Sequence, residues 1–239
     1  MHLERCWFRR ICLLSLAISL PWLVNLRHGD AQPAKQKDKK TNPKESPHDS
    51  SSAWKPLFDH KTLAPWKSCK FGGEGEVTVK DNVLVLPFGN PMTGIVYEEK
   101  FPTVNYEIRV EAMRAKGTDF FCGMTFPVKK SHISFIAGGW GGTVIGLSSI
   151  DSFDASENDT TDYFKFKQEK WYKIRARVTT THIQVWIDDK QVVDQNYQNS
   201  DIDTRIEMEL CKPLGFATWQ TEGRLRKIEY RKIEQLPSK

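Results

Sequence analysis

A period of two constrains this chain more than any other feature. Tyr106-Glu107-Ile108-Arg109-Val110-Glu111 alternates apolar and charged residues without a break. Such a segment buries one face of an extended strand and wets the other. Glu76-Val77-Thr78-Val79-Lys80 and Val83-Leu84-Val85-Leu86 flank Asp81-Asn82, a pair suited to a tight hairpin turn. Phe120–Phe126, His132–Ala137, Thr143–Ser148, Trp171–Val178, His182–Ile187, Lys190–Val193, Gly215–Trp219 and Leu225–Ile233 read as further strands, with Asp188-Asp189 as a turn. No window of a dozen residues carries a persuasive helical period. About a dozen short strands at regular spacing specify an all-β chain, a sandwich or a barrel. The inward positions of both sheets of a sandwich form its core. Trp171 and Trp186 are expected there, because large aromatics dominate core burial. Trp54 and Trp66 flank the first hairpin and are expected to pin the chain's entry.

The region before Trp54 has a different character. Arg9 and Arg10 precede an apolar run, Ile11–Leu26, and Gly29 and Ala31 suit a signal-peptidase site before Gln32. Residues 1–31 therefore read as a secretory signal. The run is interrupted by Pro21 and Asn25 and is shorter than the roughly 20 residues that cross a bilayer. The expectation is an exported chain, periplasmic or extracellular, with no membrane span once cleaved; an uncleaved segment would act as a tether. Residues 32–52 are Lys, Pro, Ser, Asp and Gln without apolar periodicity. They cannot bury enough surface to offset ordering entropy, and are expected to be a disordered linker. One domain remains, residues 53–236.

Charge and cysteine content exclude several classes. Of the formal net charge of +5, +2 lies in residues 1–31, +2 in 32–52 and +1 in 53–239. The basic balance belongs to the ends, so nothing favours nucleic acid as a partner of the domain. Cys69, Cys122 and Cys211 leave at most one disulfide. There is no nucleophile elbow and no phosphate loop. The oligomeric state is not readable.

Several stretches suggest chemistry. Gly138-Gly139-Trp140-Gly141-Gly142 frees an indole to project as a sugar-stacking platform, or turns a corner between sheets. Trp219, followed by Gln220 and Thr221, is a second platform candidate. The stretch Asp151–Thr161 holds Asp151, Asp154, Glu157 and Asp159. It can supply a base, an acid or an oxygen-rich site for a divalent cation such as calcium, with Asp151 and Asp154 as ligands. It can equally be a solvated turn. His132 is a candidate acid or base near neutral pH, or an exposed turn residue. Glu111 and Asp119 are candidates for paired carboxylates facing a groove. Glu107-Ile108-Arg109-Val110-Glu111 lacks the E-x-D-x-x-E pattern of family 16 glucanases, which excludes an ordinary retaining glucanase.

Taken together, Trp54-Lys55-Pro56-Leu57-Phe58-Asp59-His60-Lys61-Thr62-Leu63, Trp66, the hairpin at 75–86, Asn105-Tyr106-Glu107-Ile108, the Gly-Trp-Gly corner, Trp171-Tyr172-Lys173-Ile174-Arg175, Trp186-Ile187-Asp188-Asp189 and Pro213-Leu214-Gly215 before Trp219 resemble the 3-keto-disaccharide hydrolase family, also called the domain of unknown function 1080. The resemblance covers 53–236 and is nearest to its compact secreted planctomycete-like branch. It implies a concanavalin-A-like jelly roll of two antiparallel sheets with a glycan groove. It also implies a glycoside ligand, and cleavage as a 3-keto-glycoside hydrolase or lyase/hydratase. In that chemistry a base removes the acidified C2 proton, the C1 oxygen leaves and water adds. The chain departs from the family's opening L-F-D-G-K-T-L-x-G-W at His60 and Pro65. It also lacks the carboxylates of the family's E-x-Q-I-x-D strand, where Ser134-Phe135-Ile136-Ala137-Gly138-Gly139 stands. Ionisable groups must then come from elsewhere. Glu157, between Ser156 and Asn158, is the first choice for base, with Asp154 as acid or cation ligand and His132 beside them. A noncatalytic glycan-binding module is the alternative.

Overall fold

The computed structural model describes residues 52–234. The expected leader, 1–31, and all but the last residue of the expected linker, 32–52, lie outside the described residues. The strands are β1 (Lys55–Pro56), β2 (Trp66–Ser68), β3 (Thr78–Lys80), β4 (Val83–Leu86), β5 (Met92–Tyr97), β6 (Tyr106–Gly117), β7 (Cys122–Val128) and β8 (Ser131–Gly139). They continue with β9 (Val144–Ser148), β10 (Asp162–Tyr163), β11 (Trp171–Val178), β12 (His182–Ile187), β13 (Lys190–Asn196), β14 (Gly215–Trp219) and β15 (Thr221–Lys232). A short 3-10 helix, Ile206–Cys211, precedes β14.

Two antiparallel sheets face each other as a jelly-roll sandwich. One has eight strands in the order β13-β12-β11-β6-β15-β4-β3, with β1 added on β15; the other has seven in the order β10-β9-β8-β7-β14-β5-β2. Between them lie Tyr106, Ile108, Val110 and Ala112 of β6, Ile174 and Ala176 of β11, and Phe126, Phe135, Leu147 and Phe216 of the seven-stranded sheet, all at 0% exposure. That alternation is what the period of two requires.

Local chemistry explains the turns. Asp81 and Asn82 both take positive φ, 51° and 64°, closing the β3–β4 hairpin with the left-handed pair such turns need. His60 also has positive φ, 65°, so the departure from the family's glycine leaves the turn in place. Trp66 is buried and its indole donates to the Leu57 carbonyl at 2.7 Å, tying the chain's entry to the core.

Trp171 and Trp186 correct the expectation of core packing. Both point away from the core on the outer face of the eight-stranded sheet, where Arg226 lies 4.0 Å over Trp171 and Arg175 lies 3.7 Å over Trp186. They share strand parity with charged or polar neighbours, Lys173 and Arg175 on β11 and Gln184 on β12, so the pleat carries them outward.

Candidate functional site

The outer face of the seven-stranded sheet carries a row of mostly small residues across neighbouring strands. Gly94 opposes Ala217, Ala217 opposes Gly123, Gly123 opposes Ile136 and Ile136 opposes Gly146. Their short side chains leave room above the sheet. A Cβ on Gly123 would lie 3.1 Å from both Met208 Cε and a Phe120 ring carbon, so the glycine is what admits those side chains. Above this row opens a pocket of about 240 Å³, walled by Met92, Phe120, Ile136, Met208, Trp140 and Trp219. Asp119, Ser148, Arg205 and Glu207 are its polar groups. The Phe120 and Trp219 rings stand 6.3 Å apart and tilted at 41°. An apolar, aromatic wall with a few polar groups is the usual make-up of a small-ligand site.

Trp140 is set into this pocket by its glycines and by two charged residues. Its indole is 44% exposed, and its own φ is 48°, a conformation uncommon for a bulky residue. Gly142 has φ 111°, and a Cβ there would meet the Thr118 carbonyl at 2.5 Å. Only glycine fits. Arg114, buried, donates from Nη2 to the carbonyls of Gly138 at 3.3 Å and Gly142 at 2.8 Å. Asp119 Oδ2 accepts from the Gly141 N–H at 3.1 Å, and its Oδ1 accepts from the Phe120 N–H at 2.7 Å. Burial pulls the Arg114 guanidinium down, while the negative charge of Asp119 opposes that shift.

The other polar end is built on Arg205. Its Nη2 and Nε donate to Glu207 at 2.9 and 3.2 Å, and its Nη1 donates to Asp154 Oδ2. These contacts hold the Glu207 carboxyl below its ordinary value. Asp154 is also lowered: burial raises it, but Ser156 and Arg205 outweigh burial. Ser148 Oγ is buried in the pocket wall without a hydrogen-bond partner among the described residues. It is a ready donor or acceptor for a ligand hydroxyl.

The structure brings together Trp140, Trp219 and Asp119 of the residues singled out in the sequence, and places the rest outside the pocket lining. Glu111 lies on the outer face of the other sheet, bound to Arg226 at 2.8 Å and Lys227 at 2.7 Å, so it cannot pair with Asp119. Glu157 is exposed, and the orienting bonds expected from its neighbours go elsewhere. Ser156 Oγ donates to Asp154 at 2.6 Å, and the Asn158 amide donates to the Leu147, Phe153 and Asp154 carbonyls. Asp154 meets the pocket only through Arg205. His132 is four residues along β8 from Ile136, roughly 13 Å at strand rise. Burial and the charge of Lys212 lower its pKa. Asp151 Oδ1 accepts from the Asp201 N–H at 2.7 Å. The calcium ligand set expected at Asp151 and Asp154 is not assembled: Arg205 occupies the Asp154 carboxylate, and a guanidinium repels a cation. No group of three or more His, Cys, Asp or Glu among the described residues can hold a metal ion.

Arg114, Ser148 and Arg205 were not anticipated. Arg114 had a readable signal, a cation at an inward position of the series Tyr106, Ile108, Val110, Ala112. Arg205 sits in a segment without strand periodicity and gave none.

A family model described as the 3-keto-alpha-glucoside-1,2-lyase-like domain matches residues 53–235. Among solved structures, the Crh5 transglycosylase in complex with NAG superposes with a TM-score of 0.52 at 14% identity, covering 78% of this chain and 86% of that one. The carbohydrate-binding module CBM66 from Bacillus subtilis gives a TM-score of 0.47 at 10% identity, over 70% of this chain and 95% of the module. A prokaryotic beta-1,3-1,4-glucanase (lichenase) derived from a mouse hindgut metagenome gives 0.44 at 10% identity, over 72% and 93%. At these identities the likeness is one of fold alone. No curated protein matches the sequence. No helix among the described residues is long and apolar enough to cross a membrane.

Proposed function

The chain belongs to the 3-keto-alpha-glucoside-1,2-lyase-like domain family, and from that premise we propose that its Trp140–Trp219 pocket binds a 3-keto-glycoside and cleaves it by elimination. The observation that carries this reading is the place of Asp119. It is a half-buried carboxylate in a pocket walled by indoles, anchored to the loop that presents Trp140. Each of its oxygens accepts one backbone N–H and keeps a further lone pair for a proton.

In this reading a sugar ring lies against Trp140 or Trp219 through its C–H face. Asp119 removes the C2 proton, and the electron pair moves onto the C3 carbonyl oxygen as an enolate. The Arg205 guanidinium is the positive charge in the pocket that stabilises that oxygen. Return of the pair re-forms the C3 carbonyl, makes the C1=C2 double bond and expels the C1 oxygen. Glu207, held ionised by Arg205, is a poor acid, so the leaving alkoxide takes its proton from water. The hydroxide left behind adds to C1 and Asp119 returns its proton to C2, which gives the free 3-keto sugar and restores the carboxylate. We also propose that the chain works outside the cytoplasm, with the charged and apolar leader of residues 1–31 as its address and 53–236 as the functional domain.

A noncatalytic glycan-binding module is the second reading. One observation favours it: Arg205 is already bound by Glu207 and Asp154. A chromogenic 3-keto-glucoside separates the two. Release of the chromophore by the wild type, falling by about 10² to 10⁴ in a folded Asp119→Asn variant, supports elimination. Binding without release supports the module. Release undiminished in Asp119→Asn removes Asp119 from the mechanism.

A further inference from the structure

The outer face of the eight-stranded sheet, on the side of the sandwich away from the pocket, is a panel of charged residues in register. Lys173, Glu111 and Arg226 stand opposite one another on β11, β6 and β15. Two residues along stand Arg175, Arg109 and Glu229, and two further along Arg177, Glu107 and Arg231. The nine positions hold six cations and three carboxylates, and Lys227 at a bulge of β15 adds a seventh cation. Residues 52–234 as a whole balance 25 Lys and Arg against 25 Asp and Glu. The panel's excess of four positive charges is therefore a local concentration on one face of a neutral domain.

The panel is also shaped. A cavity of about 190 Å³ opens in it among Arg109, Lys173, Lys227, Glu111 and Glu229. Lys173 is exposed, and its ammonium makes no ion pair among the described residues. Arg109 donates from Nε to Glu229 at 2.6 Å, and its guanidinium lies 4.0 Å over the Trp54 ring. Arg109, Arg175 and Arg226 are thus held in place by carboxylates or indoles beneath or beside them, and Lys173 extends its charge toward solvent.

We propose that this panel is a docking surface for an acidic polysaccharide, one bearing carboxylate or sulfate groups, separate from the pocket described above. Guanidinium groups match the planar oxygens of carboxylate and sulfate. Arg175 and Arg109 stand one strand apart, about 4.8 Å, while Lys173 and Arg226, and Arg177 and Arg231, stand two strands apart, about 10 Å. These spacings are on the scale of one to two sugar units, so a single chain can meet several cations in succession. A lipid surface does not fit. The exposed large apolar side chains, Phe88, Trp140, Phe153, Tyr163, Ile206 and Leu210, all lie off this panel, leaving it nothing to insert. Single-stranded nucleic acid needs bare aromatic faces for its bases, and here the indoles of Trp54, Trp171 and Trp186 are each covered by a guanidinium.

The test is binding of the full chain to polygalacturonate and heparin, with dextran and duplex DNA as the neutral and nucleic-acid comparisons. Either acidic polysaccharide should bind, more weakly as salt rises, and dextran should not bind to the panel. The Lys173→Gln, Lys227→Gln double variant should lose about tenfold in affinity with unchanged melting temperature. Glu229→Gln, which raises the panel's positive charge, should tighten binding, an effect that misfolding cannot imitate. The Lys-rich segment at 35–44 is common to all these proteins, so the differences report the panel alone. Absence of polyanion binding, equal affinity in the double variant, or tighter binding of DNA than of both acidic polysaccharides would overturn the proposal.

Discussion

Arg114 and Asp119 grip one loop with opposite charges: Arg114 Nη2 donates to the Gly142 carbonyl at 2.8 Å, and Asp119 Oδ2 accepts from the neighbouring Gly141 N–H at 3.1 Å. Between Gly138 and Gly142 only Trp140 carries a side chain, and three of the four glycines take positive φ. Its shape is imposed by this pair. The position of the Trp140 indole in the pocket follows from charges placed at the end of β6 and just beyond it.

Replacing Arg114 by Met keeps much of the bulk and removes the donors. The carbonyls of Gly138 and Gly142 then lose their partner, and a buried polar group left unsatisfied costs about 1 to 3 kcal/mol. A lower melting temperature is expected, together with weaker ligand binding in the pocket even at temperatures where the variant is fully folded. Unchanged stability and unchanged binding would show that the glycines alone set the loop.

Trp140→Ala should separate stability from binding. Trp140 is 44% exposed and lies outside the core, so the folding stability should move little, within about 0.5 kcal/mol. A tryptophan that anchors a ligand is worth roughly 2 kcal/mol or more, about 30-fold in affinity. Titration with the glycoside bound by the wild type is the measurement. Full affinity in the variant would remove the indole from the site.

Much of the fold was legible because β6 states its two faces so plainly. Tyr106, Ile108, Val110 and Ala112 face in, and Glu107, Arg109 and Glu111 face out, as alternation requires. Residue size points Trp171 and Trp186 inward, but parity decides: Trp171 shares its parity with Lys173 and Arg175, and Trp186 with Gln184. A cation–π cap then makes the outer face a stable place for an indole. In the site, Trp140 was legible through its glycines. Arg205 was not, because its partners Asp154 and Glu207 meet it across irregular segments whose path no periodicity records. Glu157 looked well placed in sequence, but Ser156 and Asn158 spend their hydrogen bonds closing the loop on itself.

The cysteines should behave as buried hydrophobes. Cys69, Cys122 and Cys211 are all free and buried. Burial pushes the Cys122 thiol up, and contact with Cys69 together with burial does the same for Cys211. The thiolate is the reactive form, so Cys122 and Cys211 are held unreactive, and burial shields Cys69 from reagent. Iodoacetamide should leave these three unmodified in the native protein and label all three in denaturant, as read by mass spectrometry of the corresponding peptides. Rapid native labelling of any of them would contradict the burial.

The last prediction concerns Glu107, a carboxylate with no exposed side-chain surface, flanked in the charged panel by Arg177 and Arg231. Arg177 Nε donates to it at 2.7 Å and Arg231 Nε at 2.6 Å, with Arg175 as a third partner. Burial alone would raise its pKa; the three guanidiniums, Arg175 foremost, outweigh burial and hold it below the ordinary 4.5. A carboxyl whose folded pKa is depressed binds its proton more readily in the unfolded chain. Its stabilising contribution is therefore complete above about 4.5, and is lost as pH falls from there through the folded value. Glu107→Gln should leave three partly buried cations without their counter-charge, costing about 3 to 5 kcal/mol at pH 7. It should also flatten the acid limb, so that wild type and variant converge in stability as the pH drops below 4. Denaturant melts at pH 7, 5 and 3.5 measure both. A gap between the two proteins that stays constant from pH 7 to 3.5 would show that the charge of Glu107 is not what the three arginines hold.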